Sequence, residues 1–201
     1  NTGNKFENLY YGIYATSSNQ LKTFTSSGNE FTNNYRGIYC SGINSAKIIS
    51  NTINVGQSLS NDKAYGLNYE KGTGFTIEGN NFTTTNGVNI GSIINGSGSN
   101  ANTLYRNQYT NLTYGILAQT NPTTLNNDGL TIKCNKFNNN NQSIDIGIAT
   151  GTIHNPQGNC ADNKSPANNM FIHSTSENIT NIFLSSGLTP FTYNYSPASD
   201  F

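Results

Sequence analysis

The fold is decided by a repeated motif, best seen in the stretch GNEFTNNYRGIY at residues 28–39. The stretch GNKFENLYYGIY at residues 3–14 carries the same motif earlier in the chain. Each stretch places Phe after Gly-Asn-x and then, after several polar or aromatic residues, the triplet Gly-Ile-Tyr. A motif that recurs at roughly 20 to 30 residues is typical of a solenoid, in which one structural unit stacks on the next.

Weaker copies of the motif continue along the chain. The first apolar position of the six copies falls at Phe6, Phe31, Ile53, Phe82, Tyr109 and Phe137. The second apolar position falls at Ile13, Ile38, Leu67, Val88, Ile116 and Ile144. A third short apolar strand lies within residues 21–24, 48–49, 75–77, 104–105 and 130–132. A single coil cannot enclose its own apolar side chains, so we expect the residues at the first two positions to form buried inward columns.

The pattern predicts an all-β fold, a right-handed parallel β-helix solenoid of about six coils over residues 1–150. A leucine-rich repeat is the competing architecture, but its Leu-x-x-Leu-x-Leu runs are absent from the sequence. Beyond residue 150 the motif weakens, and four of the five prolines occur there. We therefore expect residues 151–201 to form an irregular last coil, a cap, or the lead into a following domain.

Asparagine accounts for 37 of the 201 residues. Its side chain bonds nearby backbone and tolerates the left-handed conformation of tight turns. One asparagine recurs two positions before the first apolar residue of each copy, at Asn4, Asn29, Asn51, Asn80, Asn107 and Asn135. Asparagines at a repeated corner can form a hydrogen-bonded ladder, as in other stacked in-register strands. We predict a structural role for all six.

Charge and hydropathy argue against nucleic-acid binding and against a membrane-spanning segment. The net charge is zero, with ten basic and ten acidic residues scattered along the chain, whereas a nucleic-acid groove needs a dense cationic track. No apolar run approaches the roughly 18 residues of a membrane span. The chain starts within a repeat and without a signal peptide, so we expect it to be an internal part of a larger protein.

The coils resemble the right-handed parallel β-helix repeats of pectate-lyase-like proteins over about residues 1–150. The stretches CNKF at 134–137 and PANNMF at 166–171 are similar to those of very large secreted or cell-surface β-helix proteins of Bacteroidetes. This resemblance implies export and an extracellular or cell-surface location. The fold alone does not decide the activity, because it supports lyases, hydrolases and passive adhesins.

The ionisable residues form no recognisable catalytic pattern. The acids fall at different phases of the repeat: Asp145, for example, has Leu117 and Asn89 as its expected neighbours on the preceding coils. His154 and His173 read as ordinary polar histidines. We predict no catalytic residue, metal site or cofactor in this chain. The alternative is a polysaccharide lyase or hydrolase whose catalytic residues lie outside it or are unrecognised, and an ice-binding solenoid fits the uneven intervals poorly.

One outward column has the chemistry of a binding surface. The residue after the second apolar position reads Tyr14, Tyr39, Asn68, Asn89 and Leu117. Tyrosine and asparagine side chains on a flat exposed stripe can stack on sugars and hydrogen-bond to them. An ordinary ladder on a β surface is the alternative interpretation. The predicted function is a structural or adhesive surface protein that binds glycan weakly, with a surface polysaccharide or another surface protein as partner.

Two of the three cysteines flank the last clear repeat. Cys134 and Cys160 are a candidate disulfide, because an exported protein meets an oxidising environment. Two small buried thiols are the alternative. Cys40 follows a Gly-Ile-Tyr triplet and is expected to be an unpaired structural residue.

Overall fold

The chain folds as a parallel β-solenoid of about five turns in the computed structural model. The structure describes residues 3–19, 21–59, 62–85, 89–120, 126–138, 143–158, 167–173 and 179–194. The regular elements of these residues are all β-strands, which confirms the predicted fold class. None of the described segments is a helix long and apolar enough to cross a membrane.

The turns of the chain contribute strands to three sheets, named A, B and C here, of which sheet C is the shortest. Sheet A contains β1 (Lys5–Glu7), β4 (Glu30–Asn34), β7 (Thr52–Val55), β10 (Asn81–Thr84), β13 (Gln108–Thr110), β16 (Lys136–Asn138) and β18 (Met170–Phe171). Sheet B contains β2 (Tyr11–Thr16), β5 (Arg36–Ser41), β8 (Tyr65–Glu70), β11 (Ile90–Asn95), β14 (Tyr114–Gln119), β17 (Ile144–Ile148) and β19 (Thr180–Leu184). Sheet C contains β3 (Thr25–Ser27), β6 (Lys47–Ile49), β9 (Thr76–Glu78), β12 (Asn102–Tyr105) and β15 (Leu130–Lys133).

The predicted aromatic column of sheet A is confirmed. Its members are in register from strand to strand, at Phe6, Phe31, Ile53, Phe82, Tyr109, Phe137 and Phe171. The five inner members are fully buried. The rings of Phe82 and Tyr109 stack with centroids 5.0 Å apart and planes 3° from parallel, which is the offset that parallel strands impose on like side chains.

The predicted inward column of sheet B is right in four coils and wrong in two. Residues Ile13, Ile38 and Leu67 are in register, but the next member is Ser92, followed by Ile116, Ile146 and Ile182. Val88 lies outside the described residues. Ile144 instead pairs with Tyr114, two positions before the inward Ile146.

Close packing against sheet A explains which residues of sheet B form the inward column. A glycine precedes its inward member in the first five strands of sheet B, and a side chain of the sheet A column lies against it, an aromatic ring in four strands and Ile53 at Gly37. A Cβ added at Gly66 would stand 2.6 Å from Cδ1 of Phe82 and 2.8 Å from the carbonyl oxygen of Gly91. The glycine of the fourth coil is thus Gly91, not Gly87, and Ser92 follows it. The Ser92 hydroxyl lies 3.0 Å from that of Tyr109, so each buried hydroxyl has a partner.

Sheet C completes the core with a column of Ile48, Ile77, Leu104 and Ile132, all buried. The prediction was wrong for the first coil. Strand β3 is Thr25–Ser27, and Ser26 holds the inward position. Leu21 is 89% exposed, because it precedes the strand in a surface turn.

The predicted asparagine ladder is confirmed and extends to Asn169. Each backbone N–H and each side-chain Nδ2 donates to Oδ1 of the asparagine on the next coil. Asn51, for example, donates to Asn80 from its backbone nitrogen at 2.9 Å and from Nδ2 at 3.0 Å. The Nδ2 atom of Asn80 also donates to the carbonyl oxygen of Ile48 at 2.8 Å. Since the inner asparagines are buried, the ladder satisfies polar groups that no water reaches.

From the second coil onward, the residue before each ladder asparagine turns the chain at positive φ. Glycine occupies this position in two coils, at Gly28 (φ 66°) and Gly79 (φ 64°). Other residue types hold the same left-handed conformation in the other coils, at Ser50, Arg106, Cys134 and Asn168. Glycine adopts this conformation without the steric cost that a Cβ incurs, which accounts for the Gly-Asn pairs at residues 28–29 and 79–80.

Candidate functional site

Sheet B presents a patch of tyrosines to the outside over its first three strands. Side chains along these strands alternate between the core and the surface, except that the glycine at the second position of each strand interrupts the alternation. We call this surface the tyrosine face and define it by the outward residues Tyr11, Tyr14, Arg36, Tyr39, Ser41, Tyr65, Asn68 and Glu70.

Three of the four predicted binding residues lie together on this face. Tyr14 pairs in register with Tyr39, and Tyr39 pairs with Asn68. The rings of the two tyrosines stack with centroids 4.9 Å apart and planes 14° from parallel. Tyr14 is 60% exposed, so an aromatic surface is open to solvent here.

The fourth predicted binding residue, Asn89, was wrongly placed in this column. It lies before β11 and is fully buried, with Nδ2 donating to the carbonyl oxygen of Gly56 at 2.8 Å. Ile93 holds its expected position, between Asn68 and Leu117. The error has the same source as that of Val88: the strand begins later than the Gly87-Val88 pair suggests.

A cationic side chain sits among the tyrosines and was missed by the sequence argument. The guanidinium carbon of Arg36 lies 5.1 to 5.6 Å from the ring centroids of Tyr10, Tyr11, Tyr35 and Tyr65. Its Nη1 donates to the Tyr11 hydroxyl, and its Nη2 lies 4.0 Å from the Asp62 carboxylate. The Tyr-Tyr pair at residues 10–11 is replaced by Tyr-Arg at residues 35–36 one repeat later. The repeat alignment could therefore have predicted that Arg36 lies beside Tyr11.

The carboxylate of Glu70 lies on the other side of the stacked rings. Its Oε1 accepts hydrogen bonds from the Tyr39 hydroxyl and, at 3.2 Å, from the Ser41 hydroxyl. Burial, together with the hydrogen bond to Glu70, raises the pKa of Tyr39 to about 12. The phenol therefore stays protonated at neutral pH and keeps donating to the carboxylate.

Several polar atoms of the face are buried without a hydrogen-bond partner. Among the described residues, five buried side-chain polar atoms have this property, and three belong to the tyrosine face: Arg36 Nε, the Tyr65 hydroxyl and Asn68 Oδ1. Tyr65 is only 6% exposed. Unpaired buried polar groups are costly and rare, and their concentration on one surface makes the tyrosine face the candidate site of this chain.

The outward side of sheet B becomes apolar beyond the tyrosine face. Tyr65, Ile90 and Ile93 form a second buried cluster, and Tyr114 and Leu117 pack against it. The ammonium group of Lys63 lies 5.1 Å from the centroid of the Tyr114 ring. The chemistry of a binding surface is therefore concentrated on β2, β5 and β8.

A cavity of about 320 Å³ lies near the other end of the solenoid. It forms where sheet C ends at β15 while sheets A and B continue. Its walls are apolar at Ile148, Leu184 and Phe191, and Asp128 and His154 contribute polar groups. The Asp128 carboxylate already accepts a hydrogen bond from the Thr152 hydroxyl. The end of one sheet accounts for this cavity, so it is a weaker indication of binding than the tyrosine face.

One buried ionisable pair was also missed. Nε2 of His173 lies 2.7 Å from Oδ2 of Asp145, which is fully buried. Asp145 follows Ile144 at the glycine position of the sixth coil, opposite Gly115, so its predicted neighbours Leu117 and Asn89 were wrong. The described residues contain no group of three or more His, Cys, Asp or Glu side chains arranged for a metal ion.

The cysteines occupy different environments. Cys40 is a free, buried residue of the core between Ala15 and Tyr69, and burial raises the pKa of its thiol to about 12. Cys134 has intermediate exposure and lies at positive φ directly before the ladder residue Asn135. Its predicted partner Cys160 lies outside the described residues, and the pairing stays a prediction.

Comparison with known proteins gives no relative from which an activity could be transferred. No family model matches the chain, and no curated protein or solved structure matches it.

Proposed function

We propose that the chain is a rigid structural or adhesive part of a secreted or cell-surface protein, and that its tyrosine face binds glycan. The unpaired polar atoms of the face carry this proposal. Asn68 offers an amide oxygen that no described residue satisfies, and the Tyr65 hydroxyl lies beside the same side chain. A glycan supplies hydroxyl groups at short, regular intervals, which suits such a row of atoms.

The aromatic residues beside these atoms support the same ligand class. Sugars present apolar C–H faces as well as hydroxyls, and an exposed tyrosine offers both a ring surface and a hydroxyl. Tyr10 and Tyr14 are 53% and 60% exposed, yet both are held by ring contacts with neighbouring tyrosines. Side chains that are already ordered lose little conformational entropy when a ligand binds.

The solenoid architecture supports a structural or adhesive role. Parallel strands pair in register over the described length, so the outward columns of sheet B are fixed in spacing and direction. A repeated surface of this kind can follow an extended polymer over several sugar units. Location outside the cell is part of the proposal and rests on the resemblance to exported β-helix proteins.

A glycan array with the purified 201-residue chain tests the proposal. We expect binding to at least one group of polysaccharides, and we expect Tyr39→Ala to reduce it by more than tenfold. Tyr105→Ala is the matched control, because Tyr105 lies outward on sheet C beside Arg106 and Lys133. Absence of binding by the folded chain, or equal losses in both variants, would overturn the proposal.

A further inference from the structure

The tyrosine face carries one acid and one base with very different surroundings. The guanidinium of Arg36 is enclosed by four tyrosine rings and lies 4.0 Å from Asp62. Its side chain is 23% exposed. A cation that is already covered by rings and placed beside a carboxylate has little capacity left to attract an anionic ligand.

The carboxylate of Glu70 is differently placed. It takes part in none of the ion pairs found among the described residues, although Lys71 follows it in the chain. Both of its hydrogen bonds, from Tyr39 and Ser41, reach Oε1. No described residue donates to Oε2, so this oxygen remains an acceptor for a ligand.

The two unpaired oxygens of β8 add to this acceptor character, whereas the third unpaired atom of the face, Arg36 Nε, is a donor enclosed by tyrosine rings. Asn68 Oδ1 can only accept a hydrogen bond, and the Tyr65 hydroxyl can donate one and accept others. Asn68 and Glu70 lie on one side of β8, two residues apart. The face therefore favours a ligand that donates several hydrogen bonds and brings no negative charge near Glu70.

We infer that the ligand is a neutral, hydroxyl-rich glycan, and that Glu70 is a specificity-determining residue that excludes uronic-acid polymers. This inference rests on the proposed function. A sugar carboxylate placed on the face would approach an ionised carboxylate for which no described residue supplies an ion-pair partner, and like-charge contact at an interface is a strong source of discrimination.

The substitution Glu70→Gln tests the inference, because it keeps the shape and one acceptor oxygen and removes the charge. The probes are neutral hexasaccharides of glucose, xylose and N-acetylglucosamine, and hexagalacturonate, titrated calorimetrically. We expect the original chain to bind a neutral probe at least tenfold more tightly than hexagalacturonate. In Glu70→Gln we expect weaker binding of the neutral probe, since charge-assisted hydrogen bonds are lost, and about tenfold tighter binding of hexagalacturonate.

Two controls distinguish charge repulsion from a structural effect. Glu78→Gln alters an acid on sheet C and should leave the preference for neutral probes unchanged. Raising the salt concentration from about 0.05 to 0.5 M should narrow the preference in the original chain, because salt screens exposed charges, and should have little effect in Glu70→Gln.

The outcomes separate this inference from the proposed function. Preferential binding of hexagalacturonate that Tyr39→Ala abolishes would overturn neutral specificity and leave glycan binding standing. A preference for neutral probes that Glu70→Gln leaves unchanged would overturn the role of Glu70. Binding of none of these probes by the folded chain would overturn the inference, and together with a glycan array that shows no binding it would overturn the proposed function as well.

Discussion

The inward and outward columns of sheet B are adjacent in every strand, yet their residues vary to different degrees. The inward column contains Ile or Leu at six of its seven positions, and its one serine pairs with a buried tyrosine. The outward column next to it reads Tyr14, Tyr39, Asn68, Ile93, Leu117, Gly147 and Phe183.

The difference follows from what each column contacts. An inward side chain is enclosed by the coils on either side and by the other two sheets, so its size and polarity are constrained. An outward side chain meets its column neighbours and either the solvent or, as at Ile93, a small second cluster outside the main core. The outward columns can therefore change from coil to coil and acquire binding chemistry while the fold stays the same.

The largest difference between inward and outward positions should appear on truncating Phe82, an inward residue of sheet A. This side chain is fully buried and stacks on Tyr109, so Phe82→Ala should lower the free energy of unfolding by about 3 to 5 kcal/mol. The exposed Tyr14 is the control, and Tyr14→Ala should cost less than about 0.5 kcal/mol. Urea titration followed by circular dichroism measures both values. A cost below about 1 kcal/mol for Phe82→Ala would contradict the stacked column.

Two adjacent asparagines offer the next largest contrast. Oδ1 of Asn80 accepts two hydrogen bonds from Asn51, and Nδ2 donates to Ile48 and Asn107. Asn80→Ala should cost about 2 to 4 kcal/mol, since it leaves buried donors unpaired. Asn81 lies on the outward side of β10, and Asn81→Ala should change stability by less than about 0.5 kcal/mol in the same titration. Equal costs would show that the ladder contributes no more than a surface amide.

A smaller effect is expected at the turn that precedes the ladder. Ser50 has φ 53°, where a residue with a Cβ is strained by roughly 1 to 2 kcal/mol. Ser50→Gly should raise the free energy of unfolding by about 0.5 to 1 kcal/mol, after the higher unfolded-state entropy of glycine is included. Gly79→Ala at φ 64° is the reverse change and should lower it by about 1 kcal/mol. Shifts of the same sign in both variants would contradict this explanation.

Thiol labelling compares a core position with a peripheral one. Because burial raises the pKa of Cys40 to about 12, roughly one thiol in ten thousand is ionised at pH 8, and Cys40 should stay unreactive in the folded chain. In denaturant without reductant, the predicted Cys134–Cys160 pairing leaves one reactive thiol. A count of three would exclude the pairing, and Cys40→Ala serves to assign the remaining thiol.

Sequence reasoning predicted six of the seven members of the sheet A column, all but Phe171, because most of them are aromatic and follow the Gly-Asn-x-Phe motif. It failed in the fourth coil of sheet B, where Gly87-Val88 imitates the Gly-Ile pair and the true inward residue is Ser92. A serine in a core column has no apolar signal. Ser92 is stabilised by a hydrogen bond with the hydroxyl of Tyr109. This contact joins two sheets, so the order of residues along the chain does not predict it.

The candidate site was predicted in part for a similar reason. Tyr14, Tyr39 and Asn68 follow from the repeat, because each comes directly after an inward residue. Arg36 and Glu70 lie at other outward positions, and their roles depend on contacts between different coils. His173 meets Asp145 across 28 residues of irregular spacing, which a count of repeat phases cannot anticipate.

The central claim is that the outward face binds glycan independently of the columns that hold the fold. Calorimetric titration of Tyr14→Ala with the glycan found on the array tests it most directly, because Tyr14 is exposed and its loss should leave the fold intact. The account predicts at least tenfold weaker binding by a variant whose urea midpoint matches that of the original chain. Unchanged affinity in the folded variant would contradict the claim.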